Sequence, residues 1–381
     1  MKCTINDIAN VISESIPNPA ESGYDIFVGL EHYDSGEVKV TRYGSTDSLV
    51  TAVKVFKKGD ILLARRNVYL KRAGLVDFDG VTSGDSIVLR VKSDLSQLGI
   101  ISTSVQRYLP FVLNTDEFWN YAEKYSDGTM SKRLSPKTLL QYELEIPDDV
   151  DERNELLWSA FETKESYRAM IKAIDEMVKS QFIEMFGLPE SNVKGYNVGL
   201  VKDVVCDVHY GTSRSASEEG MYHYLRMNNI TYSGELDLSD VKRIDIPQAE
   251  LSGCLVSKGD VLFNRTNSRE LVGKTCVFDL DEPMVIAGYL IRLRMNGLVL
   301  PEYFSTYMNL NRSKKVLMNL AKGAVGQANI NSKEVQSIEI VLPPLSAQYS
   351  FKDIVRQTDK SKFELKQAIE KINKVMRALM Q

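Results

Sequence analysis

The sequence predicts an α+β chain: two homologous mixed α/β domains separated by two long helices that pair as an antiparallel coiled coil. Three observations predict it. A set of strand, turn and helix signatures occurs twice in the same order, and each set runs into a long helix-forming segment. The stretch GAVGQANINSKEVQSIEIVLPPLSAQ at 323–348 is a polar loop, then an apolar alternation, then a double proline. It has a worn copy in GTMSKRLSPKTLLQYELEIPDDVDER at 128–153.

The repeat begins with FKKGDILLARRN, Phe56 to Asn67, which returns as VSKGDVLFNRTN, Val256 to Asn267. Each copy has a Lys-Gly-Asp turn, an apolar strand, an arginine (Arg65, Arg265) and an asparagine (Asn67, Asn267) at the same offsets. SIVLRV at 86–91 then corresponds to YLIRLRM at 289–295, YLPFVLN at 108–114 to YFSTYMN at 303–309, and Gly128 to Gly323. KAIDEM at 172–177 stands opposite QAIEKI at 367–372, and the opening parts pair more loosely, YDIFVGLEHYDSGEV at 24–38 with YHYLRMNNITYSGEL at 222–236. A period of about 195 to 200 residues is far longer than a solenoid repeat and indicates two domain-plus-helix units in tandem. The expected division is a first domain at 1–148, a central helix at 149–187, a second domain at 188–344 and a C-terminal helix at 345–381.

Within each unit the first part is strand-rich, with β-branched and aromatic runs such as DILLAR, SIVLRV, DVLFNR and MVIAGYLIRLRM broken by Gly, Asp and Asn turns. Helices are expected near Asp116–Lys124 and Pro301–Leu320. The tail from Ala347 has no glycine or proline. Phe351, Val355, Thr358, Lys362, Leu365, Ile369, Ile372, Met376 and Leu379 alternate at spacings of four and three, a coiled-coil seam that is apolar except at Thr358 and Lys362. The same seam carried back by about 195 residues gives Leu156, Ala160, Thr163, Tyr167, Met170, Ile174 and Met177, drifting afterwards to Val178, Phe182, Met185 and Phe186. A helix from Phe351 to Leu379 would be about 43 Å long at ~1.5 Å per residue. Two such helices, stripe against stripe, would hold two like domains at a set distance.

Composition excludes several classes. No apolar run approaches the roughly 20 residues of a membrane span, and the acidic, interrupted N-terminus is no secretory signal peptide. Four scattered cysteines (Cys3, Cys206, Cys254, Cys276) with no CxxC pair read as reduced thiols, which makes the cytoplasm the expected compartment. Three histidines argue against a His-rich metal site. A net charge of −4 does not decide against nucleic acid, because capture depends on local basic surface rather than the chain average.

No assembled active site emerges. SRELVGKT at 268–275 ends like a P-loop, but Ser268 stands where that motif needs its first glycine, so the segment reads as strand–turn–strand with an exposed lysine. There is no Gly-rich cofactor loop, no Asn-Pro-Pro-aromatic tetrad and no GxSxG. Asp148, Asp149, Asp151 and Glu152 complement a helix N-terminus. More informative are the polar loops RRNVYLKR at 65–72, TMSKR at 129–133, YGTSRS at 210–215, NRTNSRE at 264–270 and GAVGQANIN at 323–331, which recur at equivalent places. They combine guanidinium, amide, hydroxyl and tyrosine groups. Arginine reads guanine bidentately, Asn and Gln read adenine, and hydroxyls hold phosphates.

Taken together, GAVGQANI with IEIVLPPLSAQ, KGDVLFNRTN, FVGLEH, KGDILLARRNVYLKRAGLVD, DEFWNYA and GTMSKRLS resemble the specificity (S) subunit family of type I restriction–modification systems. The likeness covers nearly the whole chain. It implies two target recognition domains, each reading one half of a split double-stranded DNA sequence, with the helices setting the unread spacer. It also implies that the chain has no catalysis of its own. Two modification (methyltransferase) subunits using S-adenosylmethionine to methylate adenine would dock on the helices and adjoining surfaces. Restriction (motor and nuclease) subunits using ATP and Mg would complete the assembly. No membrane is involved. In the first half LPPLSAQ is reduced to IPDDVDE and the Gly-Gln loop to GTMSKRLS, so base contacts do not transfer residue by residue.

The candidate DNA-binding residues are Arg65, Arg66, Lys71, Arg72, Lys132 and Arg133 in the first domain, and Thr212, Ser213, Arg214, Asn264, Arg265, Arg269, Lys274, Gln327 and Asn329 in the second. The candidate helix-pairing residues are Leu156, Ala160, Tyr167, Met170, Ile174 and Met177 against Phe351, Val355, Leu365, Ile369, Ile372, Met376 and Leu379. No metal site is expected. The competing reading is a stand-alone DNA methyltransferase or nuclease with the same recognition domains; such enzymes carry upstream catalytic motifs that this sequence lacks. A scaffolding protein with no DNA role is the third.

Overall fold

The computed structural model describes residues 1–19, 22–47, 49–128, 131–322 and 327–381. Its contacts divide into two compact units, Met1–Ser166 with Ala368–Gln381, and Tyr167–Gln367. The division falls inside each of the two long helices, Val150–Phe186 and Leu345–Leu379.

In the first unit a four-stranded sheet has the order Ala9–Ile12, Ser86–Val91, Ile61–Ala64, Ala73–Leu75. A second sheet orders Ser15–Ile16, Val53–Phe56, Gly80–Thr82, Ile26–Val28 and Gly44–Ser45, with Ile26–Val28 parallel to Gly80–Thr82. Lys2–Thr4 pairs antiparallel with Glu143–Glu145. Helices Ser102–Val112 and Asp116–Lys124 cover the first sheet's core, in which Ile61, Leu63, Ile87, Leu89, Leu109, Phe118 and Trp119 are buried.

The second unit repeats this plan. Its first sheet runs Val205–Tyr210, Leu290–Met295, Val261–Asn264, Thr275–Val277. In the other four-stranded sheet Tyr222–Leu225 is parallel to Met284–Ile286, and Asn197–Leu200 pairs antiparallel with Glu339–Leu342 in a separate two-stranded sheet. Helices Pro301–Asn309 and Asn311–Leu320 stand where the first unit has its helix pair.

The Lys-Gly-Asp turns now have a physical reason. Gly59 and Gly259 both sit at φ +91°, where a side chain is strained. The following aspartates close their turns by accepting from Lys57 N at 2.8 Å and Ser257 N at 3.0 Å. Each buried carboxylate is then gripped by two nitrogens of one arginine from the long central strand. Asp60 takes Arg90 at 2.7 and 2.7 Å, and Asp260 takes Arg294 at 2.8 and 2.9 Å. These bidentate pairs satisfy charges that burial would otherwise penalise, and they explain why SIVLRV and LIRLRM share an arginine.

The double proline has a similar explanation. Strand Glu339–Leu342 stops at Pro343, and the C-terminal helix starts at Leu345. Gln348 in its first turn is wholly buried; its Oε1 accepts from Leu300 N at 2.8 Å and its Nε2 donates to Leu298 O and Pro343 O at 3.1 and 2.9 Å. The glutamine thus ties strand end, helix start and the loop before Pro301 together.

Within each unit the long helices run antiparallel. In the first, Arg153 donates to Leu379 O at 2.7 Å, and Met376, Leu379 and Met380 pack on the core. In the second, Phe182 and Phe186 meet Phe351 with ring centroids 5.3 and 5.5 Å apart. On the C-terminal helix Phe351 is buried and Val355, Leu365, Ile369, Ile372, Met376 and Leu379 are half-buried. On the central helix Ala160, Tyr167 and Ile174 are half-buried, but Leu156, Met170 and Met177 are about half exposed, which corrects their assignment to the pairing stripe. The buried positions are Val150, Asn154, Leu157, Phe161, Lys164, Phe182 and Phe186. A uniform shift of about 195 residues slips the alignment by about three, and three residues swing a helical stripe by about 60°.

Candidate nucleic-acid interface

In the first unit, strand Ile61–Ala64 runs directly into Arg65-Arg66-Asn67. This exit is met by the 131–134 loop: Asn67 N donates to Lys132 O at 2.9 Å, Leu134 N donates to Arg65 O at 2.8 Å, and Arg66 bridges Arg133. Asn67 (φ 57°) and Lys71 (φ 48°) are left-handed and fold the loop back, so that Arg72 Nη2 reaches Arg66 O at 3.2 Å. Arg65, Arg66, Arg72, Lys132 and Arg133 therefore converge.

Asp85 sits among them, 3.7 Å from Arg66 and 3.5 Å from Arg133. Arg66 Nε also donates to Ser131 Oγ at 3.1 Å, and that hydroxyl donates to Asn67 Oδ1 at 3.0 Å. Arg72 is held in the framework by Leu30 O at 2.9 Å, and burial lowers its pKa. Lys54 donates to Ser86 O at 2.7 Å; burial and, second, the Arg65 charge lower its pKa. Lys71 turns to Asp116 at 2.6 Å and Lys132 to Glu123 O at 3.1 Å.

The second unit builds the same joint with different side chains. Thr266–Asn267 pairs antiparallel with Ala328–Asn329, and Ile330 N donates to Arg265 O at 2.9 Å. Thr266 thus stands at the place of Arg66, and Asn329 at that of Arg133. Arg265 N donates to Tyr289 O at 2.9 Å as Arg65 N donates to Asp85 O at 2.9 Å, so a half-exposed tyrosine replaces the aspartate. The Arg265 guanidinium lies 4.9 Å over the Tyr210 ring and reaches Gly288 O, whose residue in turn bonds Thr212 O. Ser213, Arg269 and Gln327 are exposed, as is Asn329, whose Oδ1 accepts from Thr266 Oγ1 at 3.1 Å. Arg214 is exposed but engaged bidentately by Glu250 at 3.0 and 2.7 Å.

Two candidates are corrected. Asn264 is wholly buried, with its Nδ2 on Thr266 O and Tyr289 O at 3.1 and 3.2 Å, so it shapes the joint from beneath. Lys274 is not the exposed lysine of a strand–turn–strand: it is 7% exposed and donates to Met227 O at 2.7 Å and to Ile230 O. In both cases a buried amide or ammonium is satisfied by main-chain carbonyls of the core. The 323–326 segment of the GAVGQANIN loop and residues 129–130 lie outside the described residues. Sequence reasoning passed over Asp85 and Tyr289; both follow directly from the joint's offsets, one residue before each long central strand.

No group of three or more His, Cys, Asp or Glu among the described residues is placed to hold a metal. No helix among them is long and apolar enough to cross a membrane.

A duplicated mixed domain with polar joints at matching sites, each copy packed on a long helix, defines a tandem two-domain chain. Residues 198–375 match the family model described as Type I restriction modification DNA specificity domain. The EcoKI type I restriction enzyme specificity subunit of Escherichia coli K12 is 24% identical over 186 residues, covering 47% of this chain and 40% of that one. A Methanocaldococcus jannaschii protein assigned by its name to the same class, MjaX, is 26% identical over 189 residues, covering 49% and 44%. The chain thus spans less than half the length of these curated relatives in the match. A solved structure described under complex assembly and conformational transition of the type I R-M system shares the fold across 100% of this chain and 96% of its own, at 18% identity and a TM-score of 0.51. The second half of the chain thus carries the match to the type I restriction modification DNA specificity domain, and the chain is similar to specificity subunits of type I restriction enzymes.

Proposed function

We propose that this chain is the DNA sequence-recognition subunit of a type I restriction–modification complex. Each unit reads one half of a bipartite target, and the helices set the spacer and dock two methyltransferase subunits. Restriction subunits join that assembly, and S-adenosylmethionine, ATP and Mg belong to the partners rather than to this chain.

The observation that carries this reading is the repeated joint. One backbone frame presents Arg66 and Arg133 in the first unit, and Asn329 and Gln327 in the second, where Thr266 at the place of Arg66 is buried. A single frame with exchanged donors suits two docking events of like geometry and unlike sequence. Guanidinium groups favour guanine edges, whereas amides favour adenine. The two half-sites are therefore different, and the target is asymmetric.

The test is co-expression with cognate methyltransferase subunits and sequencing of methylated adenines. Wild type yields two short constant half-sites at one separation. Arg66→Ala or Arg133→Ala lowers affinity by about 5- to 150-fold if a bidentate base contact is lost. The loss blurs one half-site and leaves the other intact, and Arg269→Ala acts on the other. Equal weakening on every sequence, with the salt slope reduced by about one, would reassign that arginine to phosphate. Methyl transfer or cleavage by the isolated chain would overturn the reading.

A further inference from the structure

Each unit fastens one turn of its globular part to a long helix through a buried ion pair, and the pair recurs. In the first unit the Ser35-Gly36-Glu37 turn places the Glu37 carboxylate 2.9 Å from Lys164 Nζ. In the second, Ser233-Gly234-Glu235 places Glu235 2.8 Å from Lys362 Nζ. The partners are 127 residues apart in both. Both glycines are left-handed, at φ +72° and +89°. Gly234 is also locked in place, since a Cβ there would come within 2.3 Å of Asn309 Nδ2 and 2.6 Å of Thr275 O.

The lysines are among the most buried charges of the chain, Lys164 4% exposed and Lys362 7%. Lys164 also lies 5.3 Å over the Phe161 ring. Lys362 gathers Asp175 at 3.0 Å and Asp359 at 3.1 Å as well, and Lys366 adds a second bond to Glu235.

Burying an ammonium and a carboxylate forfeits their hydration, and well-packed apolar residues in their place commonly hold as well or better. An apolar contact, however, tolerates sliding by a turn of helix. A hydrogen-bonded charge pair does not, because a displaced partner leaves a buried charge unmatched. Setting register is the best-attested use of such pairs.

We propose that Glu37–Lys164 and Glu235–Lys362 are positioning pairs that fix each recognition domain on its helix, and so fix the register at which the half-sites must lie. The proposal rests on the bipartite DNA reading above. The residues touch no DNA; they act through the placement of the domains that do.

The test compares the methyltransferase complex carrying wild type, Glu37→Gln/Lys164→Met, Glu235→Gln and Lys164→Arg. The readouts are the spread of spacer lengths among methylated sites and the thermal melting of the purified chain. The neutral variants should raise methylation at spacers one base pair longer or shorter at least tenfold, with the half-site sequences unchanged. Lys164→Arg, which keeps the pair, should behave as wild type. A folded variant whose spacer preference is as sharp as wild type overturns the proposal, and so does loss of half-site sequence in step with spacer sharpness. If the paired variant does not accumulate folded, Glu235→Gln against wild type decides, because Lys362 keeps Asp175 and Asp359 there. A wild-type complex with no fixed spacing would instead sink the bipartite reading itself.

Discussion

Lys274 and Lys314 spend their ammonium groups on main-chain carbonyls in the core of the second unit. Lys314 donates to Gly273 O at 2.6 Å and lies 5.9 Å over the Tyr232 ring. Burial pushes its pKa down to about 7, and the nearby charges of Lys274 and Lys179 add to the effect. The sign of the linkage follows. Between pH 7 and the ordinary lysine value the unfolded chain binds a proton that the folded chain does not, so stability rises with pH across that window. Below pH 7 both states are protonated and the gain is absent. The melting temperature of the chain should therefore climb between pH 7 and 9.5, and Lys314→Met should flatten the climb. An identical climb in the variant, measured by calorimetry at matched salt, would assign the effect to other groups.

At the scale of elements, the central helix shows how far a pattern can be trusted. Leu157 is fully buried in the first unit's core, whereas its neighbour Leu156 is 56% exposed. Leu157→Ala should cost about 2–5 kcal/mol, and Leu156→Ala should stay within ~0.5 kcal/mol; denaturant melts of the two variants separate them. The sequence made the strands, the turns and both long helices legible, because Lys-Gly-Asp turns, apolar runs and breaker-free segments act locally. Ser102–Val112 was harder: Pro110 lies inside it, in the last turn, where it removes one i→i−4 hydrogen bond and reads in sequence as a helix breaker. The facing of the central helix was not legible. Its stripe is set by long-range partners such as Glu37, and no local periodicity encodes them. The candidate site was legible as loops but not as side-chain roles. Asn264 and Lys274 look like readers in sequence, and only the tertiary carbonyls around them reveal buried structural donors. The signals for the positioning pairs were visible all the same, in the paired SGE turns and in Lys362 breaking an apolar seam.

At the scale of the whole molecule, the unit division lies after Ser166 in one long helix and after Gln367 in the other. These two points are where length can be added without touching a recognition domain. Seven residues preserve the facing of a helical stripe to within about 20° and extend each helix by about 10 Å. Lengthening only one helix would break the antiparallel match of Lys362 to Asp175 or of Arg153 to Leu379, so both must be lengthened together. Along B-DNA, which advances about 3.4 Å per base pair, the paired insertion corresponds to about three base pairs. The same three base pairs turn the second half-site by about 100° around a duplex of 10–10.5 base pairs per turn, so overall affinity should fall. The methylated sites that remain should keep both half-site sequences and carry a spacer longer by about three base pairs, as read by sequencing of modified adenines. Changed half-sites at an unchanged spacer would show that the helices do not do the measuring.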